Sequence, residues 1–301
     1  MNFSDRLAET IRKKGAPLCV GLDPRWENIP LAIRKKHGPR TPEGEAAAYG
    51  EFCQEALELV VPFVGVVKPQ SAFFENCGPE GMKVLQSLLG HARALGLITI
   101  LDNKRNDIAS TGQAYAEAVF GRELDGKKYA AWPADAMTIN PYLGADAVEP
   151  FLDSARKADG GIFLLVRTSN PGARLFQDLD CSGKPLYFRV AEAVAKWNEG
   201  HIGACGLGDA GMVVGATYPS EAAELRQAFP HVWFLVPGFG AQGGGVEEVR
   251  PAFRADGLGA IVNSSRGILF PTKPEDVNWK QAVVEAARSA ASQLGSLLKG
   301  Q

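Results

Sequence analysis

The chain has 301 residues, of which 46% are hydrophobic and 22% are charged, with 32 basic against 34 acidic side chains. This near-neutral balance, without a block of Lys or Arg, argues against nucleic-acid binding, and no apolar run reaches the roughly 18 residues of a membrane span. The amino terminus lacks the basic start and apolar stretch of a secretory signal, so we expect a cytoplasmic protein.

The cysteines and histidines exclude two further classes of protein. Five cysteines are scattered without a C-x-x-C pair, and the four histidines show no metal-ligand spacing. We therefore expect neither a disulfide framework nor a zinc site, and the thiols fit a reducing compartment.

Eight short apolar runs, rich in β-branched residues, are typical of strands that are buried on both faces. In chain order they are Leu18–Asp23, Phe63–Pro69, Leu97–Lys104, Ala136–Pro141, Gly161–Arg167, Gly211–Thr217, Trp233–Gly238 and Ala260–Ser265. The segments with helical character are Phe3–Lys14, Glu45–Val61, Gly81–Leu95, Asp146–Ala158, Leu186–Asn198, Ser220–Phe229, Val246–Arg254 and Trp279–Leu298. Regular alternation of strand and helix predicts parallel strands with right-handed crossovers.

Eight such units in about 250 residues favour a closed (β/α)8 TIM barrel over an open doubly wound sheet. We expect an α/β protein of one domain over residues 1–301, with extra helices at both ends, because no linker or shift in composition divides the chain. The crossover from Asp107 to Asp135 is long enough for more than one helix. The stretch Arg25–Glu43, with three prolines, predicts a long loop above the barrel.

In such a barrel the functional residues lie at the carboxyl ends of the strands. A single polar residue there is ordinarily a solvated strand end, but many ionisable groups on one rim predict a functional site. The predicted ends carry Asp23, Lys68, Asp102 with Lys104, Asn140, Arg167, Thr217, Pro237-Gly238 and Ser265-Arg266.

The segment around the third strand carries the strongest signal. Side chains two apart on a strand face the same way, so Asp102 and Lys104 should project together into the barrel mouth, with Asp107 just beyond the strand. Lys68 ends the neighbouring strand. A structural salt-bridge network is one interpretation, but buried charges are costly unless they pair, and such arrays concentrate at active sites.

The pattern Asp102-x-Lys104-x-x-Asp107, with Lys68 on the preceding strand, resembles the orotidine 5′-phosphate decarboxylase family, in particular its longer bacterial form (type 2). In that form an arginine follows the lysine of the motif, as Arg105 follows Lys104 here. The resemblance extends from Gly21 to Arg266 through segments that agree in order: Val20–Pro24, Arg167–Ala173, Val236–Gly244 and Asn263–Gly267.

This resemblance implies decarboxylation of orotidine 5′-monophosphate to uridine 5′-monophosphate (UMP) and CO2, the last step of de novo UMP biosynthesis, without metal or cofactor. Lys104 would protonate C6 of a vinyl carbanion, Asp102 would lie beside the substrate carboxylate, and Lys68 would hold Asp102 and the ribose. It also implies a homodimer in which Asp107 contacts the partner's ribose. The remaining substrate contacts would be Asp23 and Thr111 at the ribose, Ser169 at the pyrimidine, Pro237, and Gln242, Gly243, Gly244 and Arg266 at the phosphate.

Three other interpretations compete with this one. The segment Gly238–Gly243 fits G-x-G-x-x-G, but it follows the seventh strand, where barrel enzymes commonly bind phosphate, so a phosphate loop is favoured over a Rossmann fingerprint. Barrel enzymes such as 3-keto-gulonate 6-phosphate decarboxylase and hexulose phosphate synthase share Asp-x-Lys-x-x-Asp but bind Mg²⁺ through an acidic residue where this chain has Lys68. A catalytically inactive nucleotide-binding barrel is the third, and the intact Asp102, Lys104 and Asp107 set speaks against it.

Overall fold

A computed structural model describes residues 1–240 and 245–298, in which eight parallel strands close into a barrel. The order around the barrel is β1-β2-β3-β6-β7-β8-β9-β10, and β10 pairs with β1. The predicted (β/α)8 fold is confirmed. The barrel strands are β1 Leu18–Leu22, β2 Val66–Pro69, β3 Ile98–Arg105, β6 Ala136–Ile139, β7 Gly161–Arg167, β8 Ala210–Val214, β9 Phe234–Pro237 and β10 Ala260–Ser264, and a separate hairpin contains β4 Arg122–Leu124 and β5 Lys127–Tyr129.

Helices cover the outside of the barrel and bury its outward-facing side chains. They are α1 Phe3–Lys14, α2 Leu31–Lys36, α3 Pro42–Val60, α4 Ser71–Glu75, α5 Gly78–Ala94, α6 Ala109–Phe120, α7 Ala145–Lys157, α8 Arg174–Gln177, α9 Leu186–Trp197, α10 Pro219–Ala228, α11 Val246–Val249, α12 Arg266–Leu269 and α13 Trp279–Gly295. Within the two described ranges, each helix is too short or too polar to cross a bilayer.

The hydrophobic core has two layers, because successive side chains of a strand point to opposite faces. On β1, Leu18, Val20 and Leu22 face the helices, whereas Cys19 faces the barrel interior. Helix α1 closes the amino end of the barrel, where Phe3 packs edge-on against Phe163 with ring centroids 6.2 Å apart. The amino end is therefore closed by side chains, and the cavity of the barrel opens at the carboxyl end.

The prediction of a long loop over Arg25–Glu43 is wrong. Residues Trp26–Asn28 form a 3-10 turn, α2 follows, and α3 already begins at Pro42. Pro30 and Pro42 stand at the starts of α2 and α3 instead of interrupting them, because a proline lacks only an N–H that the first turn leaves unpaired. The Thr41 side chain caps α3 by accepting the N–H of Gly44.

The crossover after β3 holds one helix, α6, and the antiparallel hairpin β4–β5 instead of a second helix. Gly121, with φ of 96°, ends α6, and Asp125-Gly126 turns the hairpin with φ of 48° and 75°. Asp-Gly is a preferred pair for two-residue hairpin turns, so this dipeptide is a sequence signal for the hairpin.

Candidate functional site

A cavity of about 410 Å³ opens at the carboxyl end of the barrel. Its polar wall comes from β2, β3 and β6, and its other wall comes from the segment after β7 and from apolar residues of β7, β8 and β9. The lining residues are Lys68, Asp102, Lys104, Thr138, Leu165, Thr168, Ser169, Asn170, Gln177, Val213, Leu235 and Pro237.

Three charged residues, Lys68, Asp102 and Lys104, form one connected array, here called the charged array. Asp102 Oδ2 accepts a hydrogen bond from Lys68 Nζ at 2.6 Å, and Oδ1 accepts one from Lys104 Nζ, also at 2.6 Å. The side chains of Lys68 and Asp102 are only 6% and 9% exposed, whereas that of Lys104 is 45% exposed. Lys104 is thus the member of the array that is open to the cavity.

The charges of this array stabilise each other despite their burial. Burial disfavours charged Lys68, but the carboxylates of Asp102 and Asp23 outweigh it and raise the lysine pKa. Burial likewise opposes ionisation of Asp102, yet the two ammonium groups hold its pKa well below the usual value. Opposite charges within about 4–6 Å favour the ionised forms, so the Lys68 and Asp102 pair is held in its charged state.

Asp23 follows β1, next to the charged array. Its Oδ1 atom is buried and accepts no hydrogen bond from the described protein groups. A buried carboxylate oxygen without a donor is costly, so this atom is available for a ligand hydroxyl.

The backbone that carries Asp102 and Lys104 departs from a regular strand. Pairing between β3 and β6 runs from Leu101 with Met137 to Arg105 with Ile139, a β-bulge in which three β3 residues oppose only Thr138. Lys104 has φ of 45°, a left-handed conformation uncommon for a residue other than glycine. Because of the bulge, both side chains reach the barrel mouth, as predicted.

Ser169 lies in the segment after β7. Two hydrogen bonds of the Gln177 side chain hold this segment in place. Gln177 Oε1 accepts the N–H of Thr168 at 3.0 Å, and its Nε2 donates to the Thr168 hydroxyl at 2.7 Å. A Cβ atom on Gly215 would lie 2.9 Å from Ser169 Cβ, so the glycine permits this close approach. Ser169 was predicted at the site, whereas Gln177 was not, because it lies eight residues further along an irregular segment.

Arg167 does not belong to the rim of the cavity, contrary to the sequence-based expectation. A register shift between Leu165 and Arg167 turns the arginine away from the interior. Its guanidinium lies over the rings of Tyr187 and Tyr218, 5.0 and 4.1 Å from their centroids. An ion pair with Asp178 then ties the Ser169 segment to the barrel.

The other predicted substrate residues that the structure describes lie at or after the carboxyl ends of β3, β9 and β10. Pro237 lines the cavity, and Arg266 is exposed at the first residue of α12. Asp107 and Thr111 lie at the start of α6 and do not line the cavity of their own chain. The predicted phosphate contacts Gln242, Gly243 and Gly244 fall outside the described residues.

Comparison with known proteins identifies a family that the chain matches. A family model described as "Orotidine 5'-phosphate decarboxylase / HUMPS family" matches residues 16–278. A curated orotidine 5′-phosphate decarboxylase of Rhodopirellula baltica is 46% identical over 307 residues, which is 100% of both chains. The enzyme of Caldicellulosiruptor bescii is 40% identical over 277 residues, which is 91% of each chain.

A solved structure agrees with this match. The OMP decarboxylase of Leishmania donovani superposes with a TM-score of 0.78 at 33% sequence identity, and the match covers 100% of both chains.

Proposed function

The chain belongs to the orotidine 5′-phosphate decarboxylase / HUMPS family, and on this basis we propose that it decarboxylates orotidine 5′-monophosphate to UMP and CO2. The observation that carries the proposal is the charged array at the mouth of the barrel, in which one carboxylate holds two ammonium groups at 2.6 Å. Sugar-phosphate enzymes of the same family would need an acidic residue where the buried Lys68 stands.

The reaction explains why a fixed cation is needed at the site. Loss of CO2 from C6 leaves an electron pair in the plane of the pyrimidine, where the ring π system cannot delocalise it. Lys104, which is open to the cavity, supplies positive charge where the negative charge develops and then donates its proton to C6. One side chain thus serves both steps, and no metal or cofactor enters the mechanism.

Asp102 and Lys68 prepare the site for this step. The Lys104 ammonium, which is open to the cavity, attracts an anionic substrate carboxylate. Asp102 lies beside that carboxylate and keeps the Lys104 ammonium directed at C6. Lys68 holds Asp102 and, with the unpaired Oδ1 of Asp23, contacts the ribose hydroxyls.

The remaining contacts set the orientation of the nucleotide. Ser169 bonds to the pyrimidine from the opposite wall of the cavity, and Pro237 packs beside it. Arg266, with Gln242, Gly243 and Gly244, binds the phosphate. Binding energy from this remote group organises the reacting end, which raises kcat as well as affinity.

The proposed enzyme is a homodimer with one decarboxylase domain, residues 1–301, per chain. Asp107 and Thr111 lie away from the cavity of their own chain, and Ile108, next to Asp107, exposes 63% of its surface. In the proposed dimer these residues meet the partner, and Asp107 contacts its ribose. The free cysteines fit a cytoplasmic location, where thiols stay reduced.

The decisive experiment follows the absorbance of orotidine 5′-monophosphate with purified protein, with and without EDTA. Fast conversion to UMP that EDTA leaves unchanged is the expected result. No turnover, or activity only on sugar phosphates with Mg²⁺, would contradict the proposal and identify Lys68 as the misinterpreted residue.

A further inference from the structure

From the hydrogen bonds at the base of the cavity we infer that Thr138 is a positioning residue for the reaction, which holds Asp102 and Lys104 in their reactive geometry. Its hydroxyl donates to Asp102 Oδ1 at 2.9 Å and accepts the backbone N–H groups of Asn103 and Lys104 at 3.1 and 2.9 Å. The inference rests on the proposed function, because it concerns the two residues that act at C6.

The Thr138 hydroxyl takes the place of hydrogen bonds that a regular strand pair would make. Between the Leu101–Met137 and Arg105–Ile139 pairs, three β3 residues oppose Thr138 alone. The two N–H groups at Asn103 and Lys104 therefore bond to a side chain on the neighbouring strand. A bulge of this kind redirects side chains next to an active site, and here it directs Lys104 into the cavity.

All three bonding positions of the hydroxyl are in use. A threonine hydroxyl has one proton and two acceptor lone pairs. Because both lone pairs receive backbone N–H groups, the proton is directed to Asp102. Thr138 is 1% exposed, so water does not compete for these bonds.

Thr138 consequently restrains Lys104 at two points. It holds the backbone N–H of a residue whose φ is 45°, a strained conformation for lysine. It also fixes Asp102 Oδ1, the atom that bonds the Lys104 ammonium. Loss of the hydroxyl should release both restraints while the charges of the site remain.

Three variants test this role. Thr138→Val keeps the shape of the side chain but removes the hydroxyl, and Thr138→Ser keeps the hydroxyl. Thr99→Val is the matched control, because the buried Thr99 hydroxyl also bonds an aspartate, Asp135 Oδ2 at 3.0 Å, and a backbone N–H, but at the amino end of the barrel.

We expect Thr138→Val to lower kcat by about 10- to 100-fold, since a misplacement of about 1 Å costs on the order of 100-fold in rate. KM should change much less, because the phosphate and ribose contacts are intact. Thr138→Ser should recover most of the wild-type kcat. Thr99→Val should lower the melting temperature without lowering kcat.

Several outcomes would overturn the inference. Wild-type kcat in Thr138→Val would do so, as would an equal loss of kcat in Thr99→Val or a serine variant no better than the valine variant. Should Thr138→Val fail to fold, Thr138→Ala removes the same hydroxyl, and its kcat relative to Thr138→Ser decides the question. Absence of turnover by the wild-type chain would instead contradict the proposed function itself.

Discussion

At the scale of single residues, the carboxylate of Asp102 connects the polar groups of the site. It accepts hydrogen bonds from Lys68, Lys104 and Thr138. Its negative charge offsets the repulsion between the two ammonium groups, and such interactions are strong within a buried wall. For Lys68, the carboxylate outweighs the effect of burial and raises the pKa.

Replacing the proposed proton donor should abolish turnover but preserve the fold. We expect Lys104→Ala to lower kcat by about 10⁴-fold or more, because it removes both the proton and the positive charge at C6. The side chain is 45% exposed, so unfolding curves should change little. Lys83→Ala, at an exposed lysine of α5, is the control for loss of a lysine. Near-normal activity of Lys104→Ala would refute its assignment as the donor.

Removing the buried lysine should cost stability in a pH-dependent way. Lys68→Met leaves a buried carboxylate short of its partner, and we expect a loss of about 3 kcal/mol in unfolding free energy near neutral pH. The raised lysine pKa stabilises the fold below the usual value of 10.5 and stops doing so as pH rises through the folded-state pKa. The lowered Asp102 pKa stabilises it above 3.8, and this contribution is lost as pH falls.

The difference between wild type and Lys68→Met should therefore be constant near neutrality and shrink in strong acid and strong base. Urea unfolding at a series of pH values measures it. A difference that does not vary with pH would mean that packing, and not charge, is the contribution of Lys68.

At the scale of elements, secondary structure follows the sequence most closely where patterning is local. The bounds of α1 and β7 agree with the structure, because apolar periodicity and strand hydrophobicity are properties of the segments themselves. Asp102 and Lys104 do meet at the barrel mouth, as predicted, but through the β-bulge opposite Thr138 and not through regular strand alternation. The direction of Arg167 was not predictable, since it depends on a register shift against β8. Thr138 was missed for the same reason, because its partners lie on another strand.

A substitution at Gly215, the residue after β8, should disturb the proposed contact between Ser169 and the pyrimidine. We expect Gly215→Ala to raise KM about tenfold, because the new Cβ would lie 2.9 Å from Ser169 Cβ and displace that segment. Gly90→Ala is the matched control, since its Cβ meets nothing within 4 Å on α5. That change should leave the kinetics unaltered and stabilise the protein by about 1 kcal/mol. Unchanged KM in Gly215→Ala would remove Ser169 from the proposed contacts.

At the scale of the whole molecule, the site lies on a rim that also exposes large apolar side chains. Ile108, Tyr142 and Leu143 follow the neighbouring strands β3 and β6 and are 63%, 78% and 46% exposed. Apolar residues grouped in this way commonly mark an interface. The proposed dimer covers them and brings Asp107 to the partner's cavity.

Mixing two inactive variants tests whether sites are shared between subunits. We expect Asp107→Ala and Lys104→Ala dimers each to be inactive, and random exchange of their subunits to restore about a quarter of wild-type activity, since half of the dimers are mixed and hold one intact site. If Asp107 acted within its own chain, every site would keep one defect. Mixing would then restore nothing, and the proposed role in trans would be wrong.

The closure of the barrel by α1 also affects how the chain folds during synthesis. The Ser4 hydroxyl donates to the Gly208 carbonyl, 204 residues later, and Asp5 accepts the N–H of Cys205, 200 residues later. Helix α1 leaves the ribosome long before these partners exist, and its apolar face, with Phe3 and Leu7, must wait for them. At about 5–20 residues per second this wait lasts on the order of 10 to 40 seconds. The apolar face of the helix that seals the barrel therefore stays without its packing partners until translation has passed β8.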